Sequence, residues 1–416
     1  MSVRIRQGEP MRDAQRTGAG GAMAEEPAAP AHDTRESARL REALVQKLSH
    51  EATLRDPRII AALRAVPRHV FVPEASLEHS YQDTVVPVKY ADDELLSTLS
   101  QPSAIVVMLE QLQVGAGMRV LEIGTGTGYN AALLAELVGP NGQVTTVDID
   151  EDLTRRARQA LRSVGYGAVT VHTGDGFDGV AEQGPYDRIE LSASTPVISP
   201  SWTEQLADGG LLVGPINVKG LRFLTPAFRK HGTRLVAESM RACSFLSLRG
   251  SAAAASSVFR LPVRPKLRFV WESPDEFPAG VLTRVFRQKR QVRDEVPIAW
   301  GAAAYVLLTN GDAFVTEAGD GRVRGISLLD RESESLASIM TSSDGWGTAG
   351  VVVYGGDGAH SRLAASIDEW AKRGRPAVEA LQLTAVPSPG PERLGPGEYL
   401  VRKPYYDLIA SYDTPR

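Results

Sequence analysis

Apolar and polar positions first fall into a pattern near residue 35. In ESARLREALVQKLSH, Leu40, Leu44, Val45 and Leu48 recur at helical spacing, and Ile59, Ile60 and Leu63 continue a second helical pattern that Pro67 ends. From Arg119 the chain alternates. RVLEI, QVTTVDID, AVTVHTG, YDRIELSAS and LLVGPI read as strands, with NAALLAELV, EDLTRRARQALRSVG and SWTEQLADGG as helices among them. Such alternation predicts parallel βαβ units, with helices on both faces of one doubly wound sheet. Ligands of these sheets lie beyond the carboxyl ends of the strands, where Gly124 to Gly128 fall.

Further along, LRFLTPAFRKHGTRLVAESMRACSFLSLRG predicts two strands joined through Lys230 to Gly232, with Cys243 a small core residue. SAAAASS then predicts a linker, because its small side chains bury little area. Beyond it, VLLTNGDAFVT predicts a hairpin around Asn310 and Gly311, GVVVYGG a strand, and HSRLAASIDEWAKRG a helix with Leu363, Ile367 and Trp370 on one face. TRVFRQKRQVR reads as a solvated helix face, and YLVRKPYYDLIASYD as a core strand. The organisation expected is a disordered tail over residues 1–35, an α/β domain over 36–251 and an α+β domain over 258–416.

Composition narrows the class. The 416 residues are 43% hydrophobic and 23% charged, enough for more than one core. A formal net charge of -4 gives no general attraction to nucleic acid, so no nucleic-acid partner is expected. Cys243 is the single cysteine, which excludes an intrachain disulfide and a cysteine-built zinc site; no metal is expected. The N-terminal segment has no unbroken apolar run of the signal-peptide kind, and no run approaches the length of a membrane span. A cytoplasmic protein with no membrane partner is expected.

The glycine-rich turn carries the chemistry. A dinucleotide site favours G-x-G-x-x-G, whereas VLEIGTGTGYN places Gly124, Gly126 and Gly128 as G-x-G-x-G; the Lys-Ser/Thr ending of a P-loop is absent. A nucleoside with an amino-acid tail, as in S-adenosylmethionine, fits instead. Glycines let the backbone approach that tail, and Glu122 supplies negative charge near sulfonium and ammonium groups. Asp148 closes the next strand, placed to accept from ribose hydroxyls, and Asp175 in TGDG closes the one after, placed to accept from the adenine amino group.

With these residues placed, the chain resembles the protein-L-isoaspartate O-methyltransferase family over roughly residues 38 to 251. The resemblance rests on VPRHVFVP, SYQDTVVPV, STLSQP, MRVLEIGTGTGYNAALLA, TGDG, PYDRIELSAS, EQLADGGLLVGPI and FLSLRG. It implies a class I S-adenosylmethionine-dependent methyltransferase fold, a Rossmann-like doubly wound sheet, here with a C-terminal α+β domain. It also implies catalytic roles for Ser100 beside the accepting carboxylate and for Ser192. Glu122, Gly124, Thr125, Gly126, Gly128, Tyr129, Asn130, Asp148, Ile149, Gly174, Asp175 and Gly176 would bind the cofactor, and Thr98, Leu99, Gln101 and His69 the substrate. A carboxylate is already ionised at neutral pH, so methyl transfer to it needs no general base.

Two departures lie on the acceptor side. KYADDELLSTLSQP is longer and more acidic than the glycine-containing link usual in the family, and Glu190 stands where an apolar residue is usual. The long C-terminal segment looks like that of family members found with ribosomally made modified peptides such as lanthipeptides and graspetides. That architecture implies a peptide partner, a macrocyclic precursor, whose L-aspartyl ester closes to aspartimide. Repair of L-isoaspartyl residues and a non-catalytic peptide-binding scaffold are the alternatives, and the residues leave the acceptor and the oligomeric state open.

Overall fold

The structure is a computed structural model and describes residues 33–50, 54–255, 258–261, 267–271, 277–297, 299–318, 323–342 and 348–412. Most of the expected tail, residues 1–32, lies outside them, and Arg35 already opens a helix. The first two helices, α1 (Arg35–His50) and α2 (Pro57–Ala65), bury the anticipated Leu44, Val45, Leu48, Ile59 and Leu63. Asp56 caps α2 by accepting from Arg58 N–H, and Pro57 sits in the first turn, where its missing N–H costs nothing.

A short helix α3 (Leu77–Ser80) leads to a hairpin, β1 (Val86–Ala91) and β2 (Glu94–Leu99), and then α4 (Pro102–Leu112). The alternating region follows as β3 (Arg119–Ile123), α5 (Tyr129–Val138), β4 (Gln143–Asp148), α6 (Glu151–Ser163), β5 (Thr170–Thr173), β6 (Tyr186–Leu191), α7 (Pro200–Gln205) and β7 (Leu206–Val213). SWTEQLADGG is thus helix only to Gln205, and the strand begins at Leu206. β3 pairs in parallel with β4 on one side and β6 on the other; β5 and β7 extend the two flanks, also in parallel. Strand order therefore reverses between β3 and β6, which makes their carboxyl ends the switch point of the sheet.

Short β8 (Ile216–Val218) and the long hairpin β9 (Leu221–His231) and β10 (Arg234–Ala242) continue the sheet antiparallel to β7, as the turn near Lys230 anticipates. The expected linker differs. Residues Gly250–Ala255 form a 3-10 helix, Ser251 N–H donates to Asp175, and Ala252 is fully buried, so packing holds these small residues in place.

The remaining elements are β11 (Val258–Arg260), β12 (Leu267–Val270), α8 (Ala279–Val285), β13 (Arg290–Pro297), α9 (Trp300–Thr309), β14 (Ala313–Ala318), β15 (Val323–Asp330), β16 (Ser335–Ser342), β17 (Thr348–Tyr354), α10 (Gly358–Lys372), β18 (Leu381–Pro387), β19 (Glu398–Val401) and β20 (Tyr406–Tyr412). β11 to β17 make a second, antiparallel sheet of seven strands. The last three strands do not join it. β18 pairs with β10, β20 with β18 and β19 with β20, so they extend the first sheet to eleven strands.

The described residues from Val258 to Tyr412 are therefore divided between two sheets, unlike the single α+β unit expected over 258–416. Two local expectations also differ. VLLT is the end of buried helix α9, since an apolar segment covered on all sides has no period to distinguish helix from strand. TRVFRQKRQVR is split between the end of α8 and the start of β13, with Val292 exposed.

One apolar cluster spans both sheets, joining Leu121, Ile189 and Trp202 to Ala303, Val306, Ile326 and Leu408. A polar contact crosses the same seam, Lys219 Nζ donating to Asn310 O at 2.8 Å, and within the first sheet Lys403 Nζ donates to Asn217 O at 2.8 Å. Cutting the chain after Ala255 bares the edge of β10 and half of that cluster. The shortened protein should lose at least ~10 °C in Tm, equivalent to about 3 kcal/mol for a chain of this size, or form no soluble monomer; thermal melts and size-exclusion chromatography read this.

Candidate active site

At the switch point β3 and β6 run in register, Glu122 beside Glu190 and Ile123 beside Leu191. After Ile123 the backbone turns through Gly124, Gly126 and Gly128 at φ of 101°, 49° and 87°, a region costing an L-residue about 1–2 kcal/mol each. At Gly128 a close neighbour also opposes a side chain, while Gly124 and Gly126 touch theirs at ordinary contact distance. A Cβ on Gly124 would lie 3.6 Å from Ser192, one on Gly126 3.6 Å from Thr98 O, and one on Gly128 3.1 Å from Ala157 of α6. The turn therefore sits between Ser192 on one side and the end of the hairpin on the other.

Acids gather at the same strand ends. Glu122, fully buried, accepts from Thr146 Oγ1 at 2.6 Å, Asn130 Nδ2 at 2.8 Å and Ser192 Oγ at 3.1 Å. Burial pushes it up to about 7 in spite of these donors. Glu190, also fully buried, accepts from the same Asn130 Nδ2 at 2.8 Å; burial and then the Glu122 charge push it up to about 8. Asp148 accepts from Gly126 N–H at 2.9 Å and Asp150 N–H at 3.1 Å, with burial raising its carboxyl against those bonds. Beyond it Ile149 is 40% exposed, an apolar surface at a strand end. Asp175 accepts from Phe177 N–H and Ser251 N–H; burial raises it, but the two donors hold it below the usual range. Gly174 N–H donates to Asp148 O, which ties β5 to β4, and Gly176 O accepts from Trp202 Nε1.

On the hairpin side Ser100 is half-buried, and its carbonyl accepts from Arg68 Nη2 at 2.7 Å. Arg68 is the residue that sequence reasoning missed, although it adjoins His69 in PRHV. Its guanidinium is fully buried, donates through Nε to Ser80 O at 2.8 Å and lies 4.9 Å above the Tyr129 ring. Burial pushes it down to about 10. A partly exposed salt cluster was missed as well. Asp150 pairs with Lys89 of β1 and with Arg249 ahead of the 3-10 helix, drawing the hairpin and the FLSLRG segment together beside Asp148. Those partners are far apart in sequence, so only a shared acid reveals them.

Several expected contacts fall elsewhere. Leu99 is 2% exposed and belongs to the core, so it does not face a substrate. Gln101 is turned inward, its amide on Asp83. His69 Nδ1 meets Tyr81 OH at 2.9 Å, in a network with Arg41 and Asp33. The Tyr129 ring packs against Phe71 and Arg68, and Thr125 Oγ1 turns inward to Thr146. Gly124, Gly126, Asp148, Ile149, Ser192 and Thr98 are brought together around the turn, with Asn130 reaching both glutamates.

A model of the family described as protein-L-isoaspartate(D-aspartate) O-methyltransferase matches residues 38–253 of this chain, about half of its 416 residues. The chain belongs to that family. The protein-L-isoaspartate O-methyltransferase of Methanococcoides burtonii is 41% identical over 164 residues, 39% of this chain and 78% of that protein. That of Methanopyrus kandleri is 36% identical over 221 residues, 53% of this chain and 96% of that protein. A solved protein-L-isoaspartate O-methyltransferase matches at 25% identity and a TM-score of 0.50, covering 83% of this chain and 96% of its own. That coverage cannot fit within the first 253 residues, so the likeness extends into the segment beyond the family match. Members of this methyltransferase family are carboxyl O-methyltransferases that use S-adenosylmethionine, and the doubly wound sheet described above is their fold. Among the described residues no helix is long and apolar enough to cross a membrane.

Two substitutions probe this geometry. Arg68→Met leaves the buried Ser80 and Ser100 carbonyls without a donor and should cost about 2–4 kcal/mol in urea unfolding. Glu190 is held protonated by folding, so its stabilising contribution is lost as pH rises from the ordinary glutamate value through about 8. Glu190→Gln should therefore gain on the wild type by on the order of 2 kcal/mol between about pH 5.5 and 8.5, measured by urea unfolding of the ligand-free protein across that range.

Proposed function

We propose that the chain methylates the free α-carboxylate of L-isoaspartyl residues in proteins or peptides, with S-adenosylmethionine at the glycine turn and the acceptor beside Ser100. The observation that carries this is the position of the turn, which lies against Ser192 on one flank and against Thr98, two residues from Ser100, on the other. A group seated on the turn then faces the acceptor segment.

The residues present suit that cofactor. Gly124 and Gly126 leave backbone open where side chains would crowd an amino-acid tail. Asp148 keeps lone pairs beyond the two N–H groups it already accepts, which suits ribose hydroxyls, and exposed Ile149 next to it offers an apolar face to a base. Asp175, Gly174 and Gly176 close the adenine end, and Glu122 supplies charge behind the turn. Bound there, S-adenosylmethionine supplies an electrophilic methyl on a positively charged sulfur.

The chain itself contributes orientation. The acceptor carboxylate is ionised at neutral pH, so no residue has to remove a proton, and alignment of oxygen with methyl is the main demand. Ser100 donates to the oxygen that does not attack, while Arg68 fixes the Ser100 backbone through its carbonyl. Ser192 borders the same space while its hydroxyl holds Glu122. The Lys89–Asp150–Arg249 cluster holds the hairpin and the segment before the 3-10 helix together beside the site. Once the ester forms, the next backbone nitrogen attacks it, methanol leaves, and a five-membered imide closes without further help from the enzyme.

A second reading keeps the chemistry and changes the partner: an L-aspartyl side chain in a ribosomally made modified peptide, ending as aspartimide. One observation favours it. The hairpin over the acceptor side carries exposed Tyr90 with Asp92, Asp93 and Glu94 at its tip, a surface suited to one particular peptide. The long C-terminal segment does not favour it, because β18 to β20 belong to the first sheet and the solved relative covers 83% of the chain.

Incubation with S-adenosylmethionine and three peptides, followed by intact mass, separates the readings. Turnover of only an L-isoaspartyl peptide supports the first, ester then net loss of water on only a macrocyclic aspartyl peptide supports the second, and no mass change on either, or on a linear L-aspartyl control, sinks both. Ser100→Ala should lower kcat by about 10- to 100-fold on the accepted peptide, the equivalent of about 1.4–2.8 kcal/mol, and Asp148→Asn should weaken donor binding by at least about tenfold in calorimetry.

A further inference from the structure

Glu122 and Glu190 are register partners on adjacent parallel strands, whose spacing is about 4.8 Å, and both side chains are fully buried. A single Asn130 Nδ2 donates to both. Its carbonyl oxygen Oδ1 and Glu190 Oε1 are buried and have no donor among the described residues. The cluster is thus rich in acceptors and short of donors. No lysine or arginine compensates it: among the described residues neither carboxylate has a basic ion-pair or hydrogen-bond partner.

The other charged groups nearby are acids or lie at the far ends of their elements. Asp148 ends β4; Val213 is the β7 register partner, with Asp208 at the opposite end of that strand. On α4 the ionisable side chain is Glu110, engaged by the N–H groups of Arg55 and Asp56, and on α5 they are Tyr129 and Glu136. Arg119 of β3 and Asp187 and Arg188 of β6 sit at the amino ends of their strands, Arg119 and Arg188 donating to carbonyls there. Two carboxylates this close, with no cation, do not both ionise. A proton on Glu190 turns a stranded acceptor into a donor.

We propose that Glu190 makes this cluster a discriminator between the cationic methyl donor and its uncharged product, holding one proton in the ligand-free protein, yielding it to solvent when the sulfonium binds, and keeping it when the thioether binds. The inference rests on the reading that the donor sits at the glycine turn in front of Glu122. S-adenosylmethionine carries one positive charge more than S-adenosylhomocysteine, and that charge favours the ionised pair. The spent product then meets a cluster with one negative charge fewer than the donor does, and leaves more readily. Both ligands share the same amino-acid tail, so the titration of that tail cancels in the comparison.

Calorimetry of the full chain with each ligand, in two buffers of different ionisation enthalpy, counts the protons released. The wild type should release more with S-adenosylmethionine, and affinity for it relative to S-adenosylhomocysteine should rise by about three- to tenfold between about pH 6.5 and 8.5. Glu190→Gln should bind both ligands with equal proton counts and a flat ratio. Equal counts in the wild type, with both ligands bound, overturn the discriminator and leave the site intact. Failure of the wild type to bind either ligand removes the site and the inference with it. The wild-type comparison alone decides should the variant fail to fold.

Discussion

Register between two parallel strands governs this molecule. Because β3 and β6 are aligned residue for residue, Ile123 and Leu191 end together, and the chain leaves both strands at the same level. That common exit sets Gly124 against Ser192 and Glu122 against Glu190. A slip of one residue would carry Glu122 to the opposite, equally buried face of the sheet and break its bonds to Thr146, Asn130 and Ser192 at once. The glycine turn suits glycine because its three φ angles are positive and Ala157 stands close to Gly128.

The second constraint is the use of the last strands. Within the family match, residues 38–253, β10 is the last strand of the sheet, and β18 covers its edge, followed by β20 and β19. An exposed hairpin edge is a site for unwanted pairing, and three further strands remove it from this position. The intervening seven-stranded sheet is anchored to the first by a continuous apolar cluster and by Lys219, which spans the seam to the Asn310 carbonyl. The two sheets thus share one interior, and the C-terminal segment is part of the scaffold that holds the switch point as well as a separate surface.

On the acceptor side, order comes from one buried arginine and one partly exposed ion cluster. Arg68 pins Ser80 and Ser100 through carbonyl oxygens while stacking on Tyr129, the first residue of the helix that follows the glycines. Asp150 joins β1 to the segment before the 3-10 helix. The first device ties the loop that carries Ser100 to the helix after the glycines, and the second ties the hairpin to the strand end beside Asp148.

Much of this was legible in the linear chain. Alternation of apolar runs and amphipathic segments determined the parallel sheet, and G-x-G-x-G with acids after successive strands marked where its ligand end lies, because these patterns are local and repeat with the period of the element. The burial of Leu44, Leu48 and Ile59 followed from helical spacing alone. Tertiary structure decided the rest. It sent β18 to β20 back to the first sheet, made VLLT a buried helix, turned Leu99 and the Tyr129 ring into the core, and placed Glu190 against Glu122. Those outcomes depend on pairing between residues distant in sequence and on which faces become covered, and neither quantity is written in any local pattern.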